Sequence, residues 1–407
     1  METLNVQYDH LLAEIKGKIK EAQVKTVMAA NSQMLLLYWQ LGNIIIQNQQ
    51  QKGWGAKIID QLSKDLGKEF PKMKGFSPRN LLYMKQFAES YGSVVINRFI
   101  EVENELKKKK TISQPLVAKL LNIENDEFAI SQQPVAKLKK RSGMELEVVQ
   151  QPAAQLKDEL FLQSILARIS WSHHVVLQNK VKNLGQRFWY MLNTIEHGNS
   201  RNVLSIQIES GLFERQVKAK KINNFRLTLP KPQTDFANYL LKDPYIFDFV
   251  QAKENADERN IEEQLANHIT KFLLELGQGF AFVGRQVRFE IGQKDYAPDL
   301  LFYHTRLHAY VVVELKTRPF EPGDAGKLNF YINVVNDKMK GSQDNDTIGL
   351  LLCKGKNEVL AEYALKGYQQ PMGVSDYQLA KAIPEELKSQ LPGIEELEQE
   401  LGKEKME

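Results

Sequence analysis

The stretch YAPDLLFYHTRLHAYVVVELKTRPF, residues 296–320, constrains the fold of this chain more than any other. Two apolar runs, LLFYH and AYVVVEL, flank a turn at 304–308, and the valines of the second suit a central strand covered on both faces. With the runs paired as antiparallel neighbours, positions summing to about 613 lie opposite one another, which brings Asp299 near Glu314. Glu314 and Lys316 are two apart, so they project from the same face of their strand. Three ionisable side chains thus collect at the ends of adjacent hydrophobic strands.

Two carboxylates converging at a strand end repel each other unless a cation lies between them. Oxygen ligands favour Mg²⁺ or Mn²⁺, and Mg²⁺ is often held by one or two carboxylates together with a substrate phosphate. Lys316 would then face the phosphate or the attacking water, stabilising developing charge or orienting the nucleophile. The plainer alternative is a solvated Glu–Lys pair at a strand terminus, worth little energetically. Three strands in order and an acidic helix ahead of them favour a metal-assisted phosphodiesterase.

Length and composition set the outer bounds. The 407 residues suggest two or three domains, and 43% hydrophobic with 26% charged residues is the mix of a soluble globular chain. No uncharged apolar run reaches the roughly 18 residues needed to cross a bilayer, and METLNVQYDHLLAEIKGKIKEA does not read as a secretory signal. A single cysteine, Cys353, excludes an intrachain disulfide framework and a multi-cysteine zinc site. The expected setting is the cytoplasm, with no membrane partner. Net charge is only +4, but residues 51–100 hold nine Lys/Arg against four Asp/Glu. No GxxxxGK[ST] loop appears, so nothing supports ATP-driven translocation.

Periodicity predicts two helices across 7–50, then a helix over about 55–69 stopped by Pro71, a turn past Gly75, and a second helix with Ser77 as N-cap and Pro78 at its first position. This is a helix-turn-helix candidate. Its Arg79, Asn80 and Lys85, with Gln86 nearby and Lys72 and Lys74 in the turn, are the candidate nucleic-acid contacts. The alternative is a helical hairpin with a solvated basic face. Residues 1–100 form the first expected domain. Residues 101–158, with KKKK at 107–110 and the loose repeat SQPLVAKL, SQQPVAKLKK and QQPAAQLK, read as a flexible linker. Helical pattern continues over 159–236, a mixed sheet with helices is expected over 237–385, and 386–407 is an acidic tail. Within 237–385 the expected order is αβββαβα: a helix at about 260–278, strands QVRFEI, PDLLFYH and AYVVVEL, a helix near 324–340, strand TIGLLLC and helix NEVLAEYAL.

Pro298-Asp299, fourteen intervening residues and then ELK, in this element order, resembles the PD-(D/E)xK nuclease superfamily. LLFYH, AYVVVELK, AGKLNFY, IGLLLCKGKNEVLAEYAL, HITKFLLELGQGFAFVGRQ and SWSHHVVL together resemble the YhcG-type family within it, over nearly the whole chain outside roughly 101–158. Members of that family often have another apolar residue where this chain has Pro298. The resemblance implies an α+β multidomain fold: an all-α N-terminal part with a helix-turn-helix, and a C-terminal restriction-endonuclease-like αβββαβ mixed-sheet domain. It also implies a Mg²⁺- or Mn²⁺-dependent endonuclease acting on DNA, with RNA or branched DNA, and a non-catalytic DNA-binding protein, as alternatives. Asp299 and Glu314 match the metal-binding acids, Lys316 matches the catalytic lysine, and Glu262 matches the acid on the preceding helix, with Glu263 as its competitor. Lys327 stands where many relatives have a glutamine, so its role stays open, with Asn329 and Tyr331 nearby. A homodimer and a protein partner in bacterial genome defence or DNA processing are further expectations.

Other polar residues have plainer readings. His173 and His174 point about 100° apart on a helix and suit packing or capping. His304 and His308 bracket a turn, Glu290 is a surface acid on an edge strand, and Cys353 is a small buried hydrophobe.

Overall fold

A computed structural model describes residues 2–52, 57–109, 147–247, 250 and 257–379. They divide into two compact units, one running to Ser205 and the other starting at Ile206. The first is all helical: α1 (Glu2–Lys52), α2 (Lys57–Glu69), α3 (Pro78–Ser90), α4 (Ser93–Lys109), α5 (Glu147–Gln163), α6 (Trp171–Lys180) and α7 (Leu184–His197). Ser77 caps α3 by accepting the Asn80 N–H, and Pro78 opens the helix as its sequence dictates. α1 approaches α3 closely because residue 42 is glycine: a Cβ there would lie 2.1 Å from the Met84 carbonyl oxygen. Leu35, Trp39, Leu81, Met84, Phe87 and Phe161 are all buried in this unit. The buried His174 ring meets Phe87 edge-on at 4.7 Å and engages the Leu166 carbonyl.

The chain passes into the second unit within α8 (Arg201–Glu209). There follow β1 (Ile222–Asn223), α9 (Phe225–Thr228), α10 (Lys231–Leu240), β2 (Tyr245–Ile246), α11 (Glu258–Asn267), α12 (Ile269–Leu276) and β3 (Phe280–Arg285). Then come the hairpin β4 (Phe289–Ile291) and β5 (Lys294–Tyr296), β6 (Leu300–His304), β7 (Ala309–Lys316), α13 (Pro322–Lys338), β8 (Ile348–Cys353), α14 (Glu358–Leu365) and β9 (Met372–Gln378). The main sheet runs β1-β9-β8-β7-β6-β3, with β2 also on β9. β7 is antiparallel to β6 and parallel to β8. One face packs Val311, Val313 and Leu315 with Phe272 and Leu265; the other packs Val312 and Leu301 with Leu328 and Ile332. Burying each such side chain stabilises the unit by roughly 1.5–3 kcal/mol. An acid and a lysine at the end of β7 are therefore held in a rigid frame.

Several expectations change. The two helices across 7–50 are one, because 21–33 contains no breaker and the isolated Gly17 and Gly42 cost only about 1 kcal/mol each. The helix at 260–278 breaks at His268 into α11 and α12. QVRFEI supplies only β4 of a separate two-stranded sheet; the third antiparallel strand of the main sheet is FAFVGR. β9 adds a strand that the sequence pattern hides. The ends of the expected linker are helical, 101–109 in α4 and 147–158 in α5; residues 110–146, and with them most of the repeat, lie outside the described residues, as does the tail 386–407. Residues 206–236 join the sheet domain rather than the helices before it: β1 pairs with β9, and Arg215 reaches Glu275.

Candidate active site

β6 and β7 pair with Leu300 opposite Val313, so Asp299 and Glu314 face each other one step beyond. Their groups interlock across the strands. The Asp299 N–H donates to Glu314 Oε1 at 3.1 Å, and the Leu315 N–H donates to Asp299 Oδ2 at 2.8 Å. Both acids are buried, Glu314 to 1% exposure. Burial pushes the pKa of each carboxyl up. For Glu314 repulsion by Asp299 adds to this, while Lys327 and Lys316 oppose it, and the outcome is about 7.

Cations surround the pair. Lys327, on α13, places Nζ 2.9 Å from Glu314 Oε2 and 5.4 Å from the Tyr331 ring centre. Burial alone would lower the Lys327 pKa, but the charge and hydrogen bond of Glu314 outweigh it and hold the ammonium above its ordinary value. Lys316 is buried; its Nζ donates to the Leu315 carbonyl at 2.7 Å and to Glu258 Oε2 at 3.1 Å. Glu258, the first residue of α11, also accepts the Thr317 N–H. Sequence reasoning missed Glu258, although it lies one turn before Glu262 on the same helix face.

Glu262 is buried on α11, whereas Glu263 is exposed. Gln286 Nε2 donates to Glu262 Oε2 at 2.7 Å and to Asp299 Oδ1 at 3.3 Å, so one amide bridges the two acids. Gln286 adopts a positive φ of 48°, a cost the fold accepts, with its N–H on the Asp299 carbonyl. Arg285 Nε lies 3.2 Å from Glu262 Oε1. Burial, then repulsion by Asp299, raises the Glu262 pKa, partly offset by Gln286 and Arg285. Gln286 was not foreseen; a lone glutamine after a glycine-interrupted strand leaves no sequence signal.

The donor set is oxygen only, and it fits a hard divalent cation. Asp299 Oδ1 and Glu314 Oε2 meet positive or donor groups, Gln286 and Lys327, rather than backbone N–H groups. That is the pattern of carboxylates able to exchange a protein partner for an ion. Among the described residues no three His, Cys, Asp or Glu side chains converge to hold an ion unaided. Glu262 faces Asp299 through Gln286 instead of joining a three-acid cage. Asp299 and Glu314, with Glu262 beside them, are the carboxylates that could hold such an ion.

The remaining candidates lie outside this cluster. Glu290 is exposed on β4, and His304 is buried, with Nδ1 accepting the Leu307 N–H at 3.1 Å. His308 adopts φ 48° in the turn, His173 bonds Ser170 and the Asn199 carbonyl, and Cys353 is buried. In the helical unit Asn80 spends both ends of its amide internally: Nδ2 donates to the Gly75 carbonyl, and Oδ1 accepts the Trp171 indole N–H at 2.7 Å. Its amide thus braces the turn. Arg79, Lys72 and Lys74 are exposed, and Lys85 lies 3.5 Å from Glu89.

Residues 238–392 match the family described as "YhcG PDDEXK nuclease domain", and residues 14–125 and 132–215 match the "DUF1016 N-terminal domain". The chain is 29% identical over 376 residues to the "Putative nuclease YhcG" of Escherichia coli (strain K12), covering 90% of this chain and 88% of that protein. A crystal structure of a repair endonuclease from Pyrococcus abyssi is similar at 17% identity and a TM-score of 0.22, over 32% of this chain and 50% of that one; nothing is built on so slight a likeness.

Proposed function

This chain belongs to the YhcG-type PDDEXK nuclease family, and on that premise we propose that it is a Mg²⁺-dependent DNA endonuclease whose site is Asp299, Glu314 and Lys316. The observation that supports this most is the interlock of two buried carboxylates beside a buried lysine at the end of the central strands. Asp299 and Glu314 would hold the metal, which supplies Lewis acidity toward the scissile phosphate and a more acidic water. Lys316, oriented by Glu258 and the Leu315 carbonyl, presents its ammonium to a phosphate oxygen and stabilises charge as the P–O bond to the leaving oxygen breaks. Lys327, now paired with Glu314, would be free to face the substrate if a metal took its place there. Glu262, held by Gln286 and Arg285, keeps Asp299 in place.

The helical unit binds the nucleic acid through Lys72, Lys74, Arg79 and Lys85. The cytoplasm suits a chain with one cysteine, and a homodimer would give one site to each strand of a duplex. The test is release of fragments from supercoiled, linear, single-stranded and branched DNA, and from RNA, with Mg²⁺ and with chelator. Mg²⁺-dependent cleavage of DNA supports the reading; cleavage of RNA alone, or cleavage indifferent to chelator, refutes it.

A further inference from the structure

α3 buries Leu81, Met84, Phe87 and Ala88 and turns Arg79, Leu82 and Gln86 outward, at spacings of three and four that place them on one stripe. Leu82 is 50% exposed. The connection just before it, residues 70–77, exposes Phe70 (45%) and Met73 (50%) among the exposed Lys68, Lys72 and Lys74. Its base is pinned. Gly75 has φ 106° and leaves no room for a Cβ, which would lie 2.7 Å from the Tyr38 hydroxyl, and the Asn80 amide ties the Gly75 carbonyl toward Trp171. A braced loop thus displays apolar side chains between cations. Over 68–79 the charges are Lys68, Lys72, Lys74 and Arg79 against Glu69 alone.

Water gives no reason to expose Phe70 and Met73 together. Phosphate gives none either, since apolar groups gain nothing from it. A base face removes them from water, and stacking of this kind tolerates any sequence. An intact duplex hides its base faces; a single strand or a gap offers them. Arg79 and Gln86 on the neighbouring stripe carry the planar donors and acceptors that match base edges and that a lipid surface would not need.

We propose that residues 68–79 and the outward stripe of α3 form a nucleic-acid surface in which Lys68, Lys72 and Lys74 hold phosphates while Phe70 and Met73 stack on unpaired bases. This rests on the nucleic-acid substrate proposed above and narrows it to strands with accessible base faces.

The full chain with Asp299→Asn, to prevent cleavage, is titrated by fluorescence anisotropy against single-stranded, gapped and duplex DNA, over about 50–200 mM salt. Lys72→Gln with Lys74→Gln should weaken all three complexes. On single strands it should reduce the slope of log affinity against log salt by about 1.4, two contacts at about 0.7 each. Phe70→Ala with Met73→Ala should weaken single-stranded and gapped binding about 10-fold, with duplex binding within about 2-fold and the salt slope unchanged. Because Phe70 also contacts Phe76 at 6.5 Å, Met73→Ser alone is a second variant, expected to lose a few-fold on the same two substrates. Equal losses on duplex and single strand from the Phe70 and Met73 substitutions, or no loss in any variant, overturn the proposal. So does binding to anionic vesicles that depends on Phe70 and Met73 while DNA binding does not. With Asp299 restored, Mg²⁺-dependent cleavage of single-stranded and gapped DNA that survives every one of these substitutions unaltered would refute the surface and leave the nuclease reading standing.

Discussion

Glu258, the first residue of α11, accepts a hydrogen bond from the Lys316 ammonium at 3.1 Å, so the lysine at the end of β7 is aimed by a helix that begins 58 residues earlier in the chain. The second hydrogen bond of Lys316, to the Leu315 carbonyl, fixes the direction further.

Glu258→Ala should therefore lower kcat about 10-fold with little change in KM, because Lys316 loses its orientation. Glu258→Gln, which retains an acceptor oxygen, should recover most of that loss. Steady-state cleavage of one fluorescent substrate by both variants checks this.

Lys327 competes with any cation for Glu314 Oε2, being 2.9 Å away. Lys327→Met should tighten divalent binding by about 10-fold, one ion-pair's worth of competition in a partly buried site. Calorimetric titration with Ca²⁺ or Mn²⁺ reads it without turnover. Unchanged or weaker binding would mean that Lys327 supports the ion instead.

Two buried histidines should make the protein less stable in acid. Burial lowers the His174 pKa to about 3 and the His304 pKa to about 4, against an ordinary 6.5, with backbone carbonyl contacts opposing the shift. The unfolded chain then binds more protons than the folded one below pH 6.5. Stability is complete above that value and falls as pH drops toward 4 and then 3, by about 1.4 kcal/mol per pH unit per histidine. Thermal unfolding from pH 8 to pH 4 should show this slope. His174→Phe, if folded, should flatten it.

Glu275 is nearly buried and paired with Arg215 and Lys242, both 6% exposed or less. A fragment starting at residue 238 loses Arg215 and β1, leaving Glu275 with half its partners. It should be about 3–5 kcal/mol less stable than a fragment of residues 206–379, a difference readable by urea unfolding.

The site was legible where strand alternation fixes geometry. Asp299, Glu314 and Lys316 follow from the register of two apolar runs, and the observed Leu300–Val313 pairing obeys it. What stayed hidden depends on tertiary neighbours. β3 is interrupted by Gly284 and β9 contains glycine, serine and aspartate, so neither has the composition of a strand until β6 and β8 are beside it. Gln286 and Glu258 are ordinary residues until the fold brings them to Asp299 and Lys316. Asn80 is a similar case: its position on α3 suits a base contact, and only the packed Trp171 shows that its amide also braces the turn.

The most direct test of the central claim compares cleavage of one DNA substrate in Mg²⁺ by wild type, Asp299→Ala and Lys316→Ala. Wild-type cleavage reduced at least about 100-fold in both variants, with their unfolding transitions intact, is the predicted result. Cleavage that persists in either folded variant would place the chemistry elsewhere and contradict the assignment of this site.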